Sequence, residues 1–68
     1  MREELVLYTV KDRIASITLN RVEKRNALNP DLVNQLTNHL LKAAEDDEVK
    51  VIILKANGST FSAGADLA

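Results

Sequence analysis

The run Val49-Lys50-Val51-Ile52-Ile53-Leu54 constrains this chain more than any other feature. Only Lys50 interrupts its apolar character, and a strand of that composition needs cover on both faces, as strands of parallel sheets have. A strand-like stretch and a helical stretch precede it. Strand, helix and strand in that order imply a right-handed βαβ crossover. Within 68 residues, one helix and a two-stranded hairpin cannot cover both faces and both edges of such a strand. The sequence is patterned for a larger sheet than it contains.

The length allows one small domain over residues 1–68 and no second one. A chain this short buries only about 60% of the surface its unfolded form exposes, and a core of that size rarely supplies more than about 3–5 kcal/mol unaided. Nothing staples it. Cysteine is absent, so there is neither a disulfide nor a thiolate site, and the single His39 has no companions with which to hold a metal. The aromatic residues are Tyr8 and Phe61 alone. These features point to a piece of a larger fold, or to a protomer that needs its neighbours.

Nine basic and ten acidic residues leave a net charge of −1, without the clustered basic surface that nucleic acid requires. Arg21, Lys24 and Arg25 fall in one polar loop, which reads either as a solvated loop or as a local partner for an anionic ligand. Met1-Arg2-Glu3-Glu4 leads into a strand-like pattern rather than the apolar core of a signal peptide. All apolar runs fall far short of the roughly 20 residues that span a bilayer. The expectation is a cytoplasmic chain with no membrane and no nucleic-acid partner.

Leu5 to Val10 reads as a strand, Lys11-Asp12-Arg13 as a polar turn, and Ile14 to Leu19 as a second strand. Ala15, Ile17 and Leu19 alternate with Ile14, Ser16 and Thr18, so one face is buried and the other wetted. The short connection makes an antiparallel hairpin. Asn29 is a good N-cap, Pro30 suits the first helical position, and Asp31 complements the helix dipole. Leu32, Leu36, Leu40 and Ala43 form an apolar stripe that Val33, Leu41 and Ala44 widen. Asn34, Gln35, Asn38, His39 and Lys42 take the opposite, polar side, and the helix is expected to end in Glu45-Asp46-Asp47-Glu48. The fold class is therefore α/β, in the order β-β-α-β.

Chemistry has few places to reside. Only Gly58 and Gly64 exist, so neither the phosphate-loop nor the dinucleotide fingerprint can form. The paired acids Glu3-Glu4 and Glu45 to Glu48 sit at a terminus and a helix end, as solvated charge does. Asn57-Gly58-Ser59 matches a glycosylation acceptor but reads as a plain Asn-Gly turn. What remains is Phe61-Ser62-Ala63-Gly64-Ala65-Asp66, a small-residue loop delivered by the apolar strand. Small side chains let backbone approach a ligand, and Gly64 permits positive φ or tight contact. Were a helix to begin near Asp66, the Ala65 N–H would be unpaired and directed outward, ready for a developing oxyanion. A tight turn with a small-residue packing seam accounts for the same pattern.

From Ala15 onward the chain resembles the N-terminal part of the crotonase superfamily, the enoyl-CoA hydratase/isomerase proteins. Three stretches carry the resemblance, in order. They are Ile17-Thr18-Leu19-Asn20-Arg21 leading to Lys24-Arg25-Asn26-Ala27-Leu28-Asn29, the helix from Pro30 followed by Val51-Ile52-Ile53-Leu54, and Phe61-Ser62-Ala63-Gly64-Ala65-Asp66-Leu67. The resemblance implies an incomplete segment of the crotonase (ClpP/crotonase-like spiral) fold. It implies that the Ala65 N–H forms half of an oxyanion hole for an acyl-CoA thioester. Lys24, Arg25, Ala27, Leu28, Ala63 and Gly64 would then lie along coenzyme A, with Asp66 and Leu67 beside the acyl pocket. Asp66 would brace the loop or cap a helix rather than move protons. No separate cofactor and no metal are implied, since coenzyme A arrives as part of the substrate. The resemblance also implies a parent enzyme that assembles as a homo-trimer or hexamer.

Family members are several times longer. The resemblance places the second oxyanion donor and the acid–base carboxylates after residue 68, so this chain is expected to be inactive alone. Enoyl-CoA hydration or double-bond isomerisation is the expected activity of a parent enzyme. The rival expectation is a small non-catalytic αβ module that binds a partner or coenzyme A and docks through unpaired sheet edges. The ending Asp66-Leu67-Ala68, at an apparent helix start, favours truncation.

Overall fold

The computed structural model describes residues 4–66 of the chain. Strand β1 runs Val6–Lys11, β2 Ile14–Leu19, α1 Pro30–Glu45 and β3 Val51–Ala56, with a 3₁₀ turn at Val22–Lys24. This is the expected β-β-α-β order. The strands form one sheet in the order β1-β2-β3. β1 and β2 pair antiparallel from Val6↔Leu19 to Lys11↔Ile14. After α1 the chain returns so that β3 lies parallel to β2, from Ile14↔Val51 to Leu19↔Ala56.

The hairpin turn is tighter than the polar triplet suggested. Lys11 belongs to β1, and only Asp12 and Arg13 form the connection, at φ 52° and 68°. Two successive left-handed residues match the twist of a two-residue hairpin. Arg13 also sets where β3 starts. Its carbonyl accepts from Lys50 N–H (2.8 Å) and Val51 N–H (3.3 Å), while Val49 N–H still donates to Asp46 O (3.0 Å) in the turn after the helix. Val49 and Lys50 are thereby held in the connection, and the strand runs Val51–Ala56 rather than Val49 to Leu54.

The helix begins as its sequence directs. Asn29 Oδ1 accepts from Leu32 N–H (2.8 Å), Pro30 follows at the first position, and Asp46 closes the other end. Its orientation follows the apolar stripe only in part. Leu32 and Ala43 are buried and Leu36 packs against the core, but Val33, Leu40 and Leu41 are exposed. Gln35 and His39, placed on the solvent side by periodicity, face the sheet instead. Gln35 Oε1 accepts from Leu5 N–H (2.8 Å) and Val6 N–H (3.1 Å) at the entry to β1. His39 stacks on Tyr8 with centroids 5.1 Å apart and planes 6° from parallel, and Lys42 Nζ lies 5.0 Å from the same ring. The helix has turned toward β1 and β2, whose polar edge groups and aromatic ring take one flank of it. The other flank is left uncovered.

The core consists of Leu5, Val6, Ile17, Leu19 and Leu32, with Tyr8, Leu28, Leu36 and Ala56 packed against it. β2 buries Ala15, Ile17 and Leu19, the alternate positions expected. β3 was expected to be covered on both faces, yet Val51 through Lys55 are all exposed. It is an edge strand, and the helix crosses over the other two strands. Ile17 is 0% exposed while Ile53 is 42% exposed. Ile17→Ala should therefore cost about 2–5 kcal/mol in urea unfolding, and Ile53→Ala less than about 1.5 kcal/mol. Equal costs would mean that β3 is covered in solution.

Candidate functional site

Two loops emerge at the same end of the parallel pair. One leaves β2 and carries the basic residues; the other leaves β3 and carries the small ones. The first is wound tightly. Lys24 N–H and Asn26 N–H both donate to Arg21 O (3.1 and 2.8 Å), Arg25 N–H donates to Val22 O (2.9 Å), and Ala27 N–H donates to Lys24 O (3.0 Å). Arg25 and Asn26 end this winding at φ 50° and 57°. Asparagine tolerates the left-handed region better than other residues with a Cβ.

Asn26 then joins the loops. It is 1% exposed and the only buried polar residue among those described. Its Oδ1 accepts from Arg21 N–H (2.8 Å), and its Nδ2 donates to Asn57 O (2.9 Å) and Thr60 O (2.8 Å). Ser62 Oγ donates to Asn26 O (2.9 Å) and accepts from Gly64 N–H (3.1 Å). A cavity of about 30 Å³ remains between Val22, Arg25 and the Asn57–Thr60 turn, room for a water.

Beyond Asn26 the loops pair as a short stretch of sheet. Ala63 N–H donates to Arg25 O (2.9 Å), Leu28 N–H to Gly64 O (2.8 Å), and Asp66 N–H to Leu28 O (3.0 Å). Leu28 and Ala65 form a parallel bridge. Because Gly64 O and Asp66 N–H both face Leu28, strand alternation turns the Ala65 N–H the other way. Ala65 is exposed. Its N–H is thus directed outward by an extended bridge; the helix start expected near Asp66 would fall on residues outside those described. Gly64 sits at φ 92°, and a Cβ there would meet nothing within 4 Å. Of its two expected uses, positive φ is the one realised.

Asp66 Oδ2 lies 2.7 Å from Arg21 Nη1, which also donates to Ala27 O (2.9 Å). The side chains are 12% (Arg21) and 19% (Asp66) exposed, so the pair is more screened from water than a surface ion pair. Asp66 therefore braces the two loops. Arg21 had been grouped with Lys24 and Arg25 as a contact for anions, but its guanidinium is turned inward, and only Lys24 and Arg25 stay exposed. Ala27 and Leu28 are half-buried, Leu28 against the core, and Ala63 is exposed. Seven of the nominated residues are brought together with Ala65 along this seam; Leu67 lies outside the described residues.

Asn26 and Arg21 were not nominated as site residues. The Arg21–Asp66 pair spans 45 residues and has no local signature. Asn26 left a faint one, an asparagine between a long cationic residue and a small one at the end of a tight loop.

A parallel βαβ unit whose two emerging loops pair so that one amide points outward defines an α/β segment of crotonase type, and its order matches the N-terminal part of that fold in solved neighbours. The chain belongs to the enoyl-CoA hydratase/isomerase family, whose sequence model matches residues 9–68. A probable enoyl-CoA hydratase from Mycobacterium thermoresistibile superposes with a TM-score of 0.93 at 55% identity, covering 96% of this chain and 27% of that one. The 2,3-dehydroadipyl-CoA hydratase of Escherichia coli K12 is 46% identical over 84% of this chain and 22% of its own length. The small ribosomal subunit protein mS47 of Schizosaccharomyces pombe is 41% identical over 94% of this chain and 15% of its own. The chain thus spans from 15% to 29% of the length of these and similar relatives.

Asn26→Ala should strip Arg21 N–H, Asn57 O and Thr60 O of their partner at once. Asn57 is exposed and regains water, so the expected cost is about 2–4 kcal/mol rather than the full sum for three orphaned groups. Urea unfolding measures it; a loss below about 1 kcal/mol would mean that the loops are joined by other contacts.

Proposed function

We propose that this chain supplies the first part of an acyl-CoA site, in which the Ala65 N–H donates to a thioester carbonyl and the Lys24 to Leu28 loop runs along coenzyme A. The observation that carries the reading is the outward Ala65 N–H, held by the two backbone bonds that Leu28 makes on either side of it. A thioester whose α-carbon loses or gains a proton develops enolate character at its carbonyl oxygen. A donor fixed in advance stabilises that charge without reorganising. Arg25 O holds Ala63, and Gly64 O holds Leu28, so the amide and the basic loop keep their spacing as one body. Lys24 and Arg25 offer two exposed cations for phosphate oxygens.

Enoyl-CoA hydration is the leading activity on this reading, with double-bond isomerisation beside it in the family description. Both move protons at carbons near the thioester, and general acid–base groups contribute about 10²–10⁴-fold. Of the two carboxylates on these loops, Asp66 is engaged by Arg21 and Glu23 stands exposed on the Val22–Lys24 turn, in the loop opposite the one that carries Ala65. The segment alone binds and polarises; turnover requires acid–base groups from elsewhere in a complete site. The similarity to mS47, a ribosomal protein by name, favours one rival, in which the same loops serve a non-catalytic binding module.

Two measurements test these readings. In a chimera, residues 4–66 replace the matching segment of the Mycobacterium thermoresistibile protein. There Ala65→Pro should lower kcat about 10²–10³-fold, because it removes the donor and spares both bridge bonds. A folded chimera with unchanged kcat would end the oxyanion assignment. With the 68-residue chain itself, titration calorimetry with coenzyme A should show binding that Lys24→Ala/Arg25→Ala weakens, most strongly at low salt. Affinity insensitive to both charges and salt would remove the basic loop from the site.

A further inference from the structure

The turn that Asn26 holds is built on an Asn-Gly pair. Of the six asparagines in the chain, at positions 20, 26, 29, 34, 38 and 57, only Asn57 precedes glycine. Gly58 lacks the Cβ that would hinder approach to its own nitrogen, and it stands at φ 85°. Asn57 is exposed. Its carboxamide makes one hydrogen bond, from Nδ2 to Asn20 Oδ1 at 3.1 Å on the surface. The Gly58 N–H donates to no acceptor among the described residues. The main chain of Asn57 is held differently: its N–H donates to Leu19 O (2.9 Å) and its carbonyl accepts from buried Asn26 Nδ2 (2.9 Å).

We infer that Asn57 is a self-modification site, at which deamidation through a succinimide releases the Asn57–Thr60 turn from Asn26. Gly58 N, deprotonated, attacks Asn57 Cγ; the Cγ–Nδ2 bond breaks and ammonia leaves with the proton. One water then opens the ring. Opening at Cγ gives aspartate with the original main chain. Opening at the α-carbonyl gives isoaspartate, whose main chain runs through Cβ and is one methylene longer. No oxidant or enzyme is required, and the chain, of net charge −1, gains one negative charge.

The two products differ in consequence because Asn26 reads the backbone of residue 57 rather than its side chain. Aspartate keeps the amide-linked carbonyl in place between Leu19 and Asn26. Isoaspartate cuts that carbonyl out of the main chain as a free carboxylate. Asn57 O and Thr60 O, both held by one Asn26 Nδ2, then no longer bracket a turn of native length. Ser62 and Ala63 follow directly in the chain, so the loosening reaches the loop that carries Ala65.

The test incubates the 68-residue chain at mildly alkaline pH and follows it by peptide mapping. Cleavage after Lys55 isolates Asn57 from the other asparagines. Asn57 should convert at least about tenfold faster than any of them, and Gly58→Ala should slow it by a similar factor. A Cβ at Gly58 approaches Val22 Cγ1 to 3.1 Å, so Asn57→Gln serves as a second block that leaves the backbone unchanged. Exchange protection of the Asn26 Nδ2 protons, read by NMR, reports the release. It should persist in Asn57→Gln and Asn57→Asp and disappear in the purified isoaspartyl form. Conversion at Asn34 or Asn38 ahead of Asn57 overturns the proposal, as does equal protection, or none, in the Asn57→Asp and isoaspartyl forms.

Discussion

The buried carboxamide of Asn26 is the interaction on which the rest of this structure depends. Its three hydrogen bonds join segments that are 31 and 34 residues apart in sequence, at the end of the sheet where β2 and β3 release their loops. A fully satisfied buried amide adds only about 0.5–1.5 kcal/mol per bond, but leaving its partners unmet costs more. Its contribution is therefore chiefly to geometry: the loops fit one another in one register or leave polar groups stranded. Arg21 repeats the arrangement one layer outward, using its main chain on Asn26 and its guanidinium on Ala27 O and Asp66.

The opposite side of the molecule shows the converse. Val33, Leu40 and Leu41 on the helix, and Val51 to Leu54 on β3, carry apolar surface that nothing among the described residues covers. A strand edge of this composition is adhesive in water. The helix does not turn to hide it, because that would forfeit Gln35 to the amides of Leu5 and Val6, and His39 to Tyr8. Hydrogen bonds at the entry to β1 thus prevail over hydrophobic periodicity in choosing which flank the helix presents.

That competition explains what was legible in the residues. Strand alternation in β2, the Asn29-Pro30 helix start and the parallel return of β3 are local patterns, and each is realised. The helix face was legible in part: Leu32, Leu36 and Ala43 of the stripe pack inward, while Leu40 is exposed and Gln35 and His39 turn to the sheet, toward partners that periodicity cannot see. β3 was shifted by two residues because Arg13 O, thirty-seven positions before Lys50, captures the amide there. In the site, the small residues and the basic loop were visible as composition. Their convergence on one ligand was visible only through resemblance, which also implied a bracing Asp66; Arg21 and Asn26 as its fellow braces, and the pairing of the two loops, emerge only in the fold, since long-range partners leave no spacing to read.

The same reasoning clarifies why the loop ends in Ala63-Gly64-Ala65 rather than in larger residues. Gly64 needs a left-handed φ, and the space over it is open, so close packing is not what selects glycine there. The turn of the backbone at residue 64 lets Gly64 O and Asp66 N–H both reach Leu28. Once those two groups are committed to one side, alternation leaves the Ala65 N–H no choice but the other. Two hydrogen bonds and one glycine thus suffice to direct this donor outward. The amide itself carries no titrating proton, and its aim is as rigid as the Asn26 and Arg21 contacts behind it.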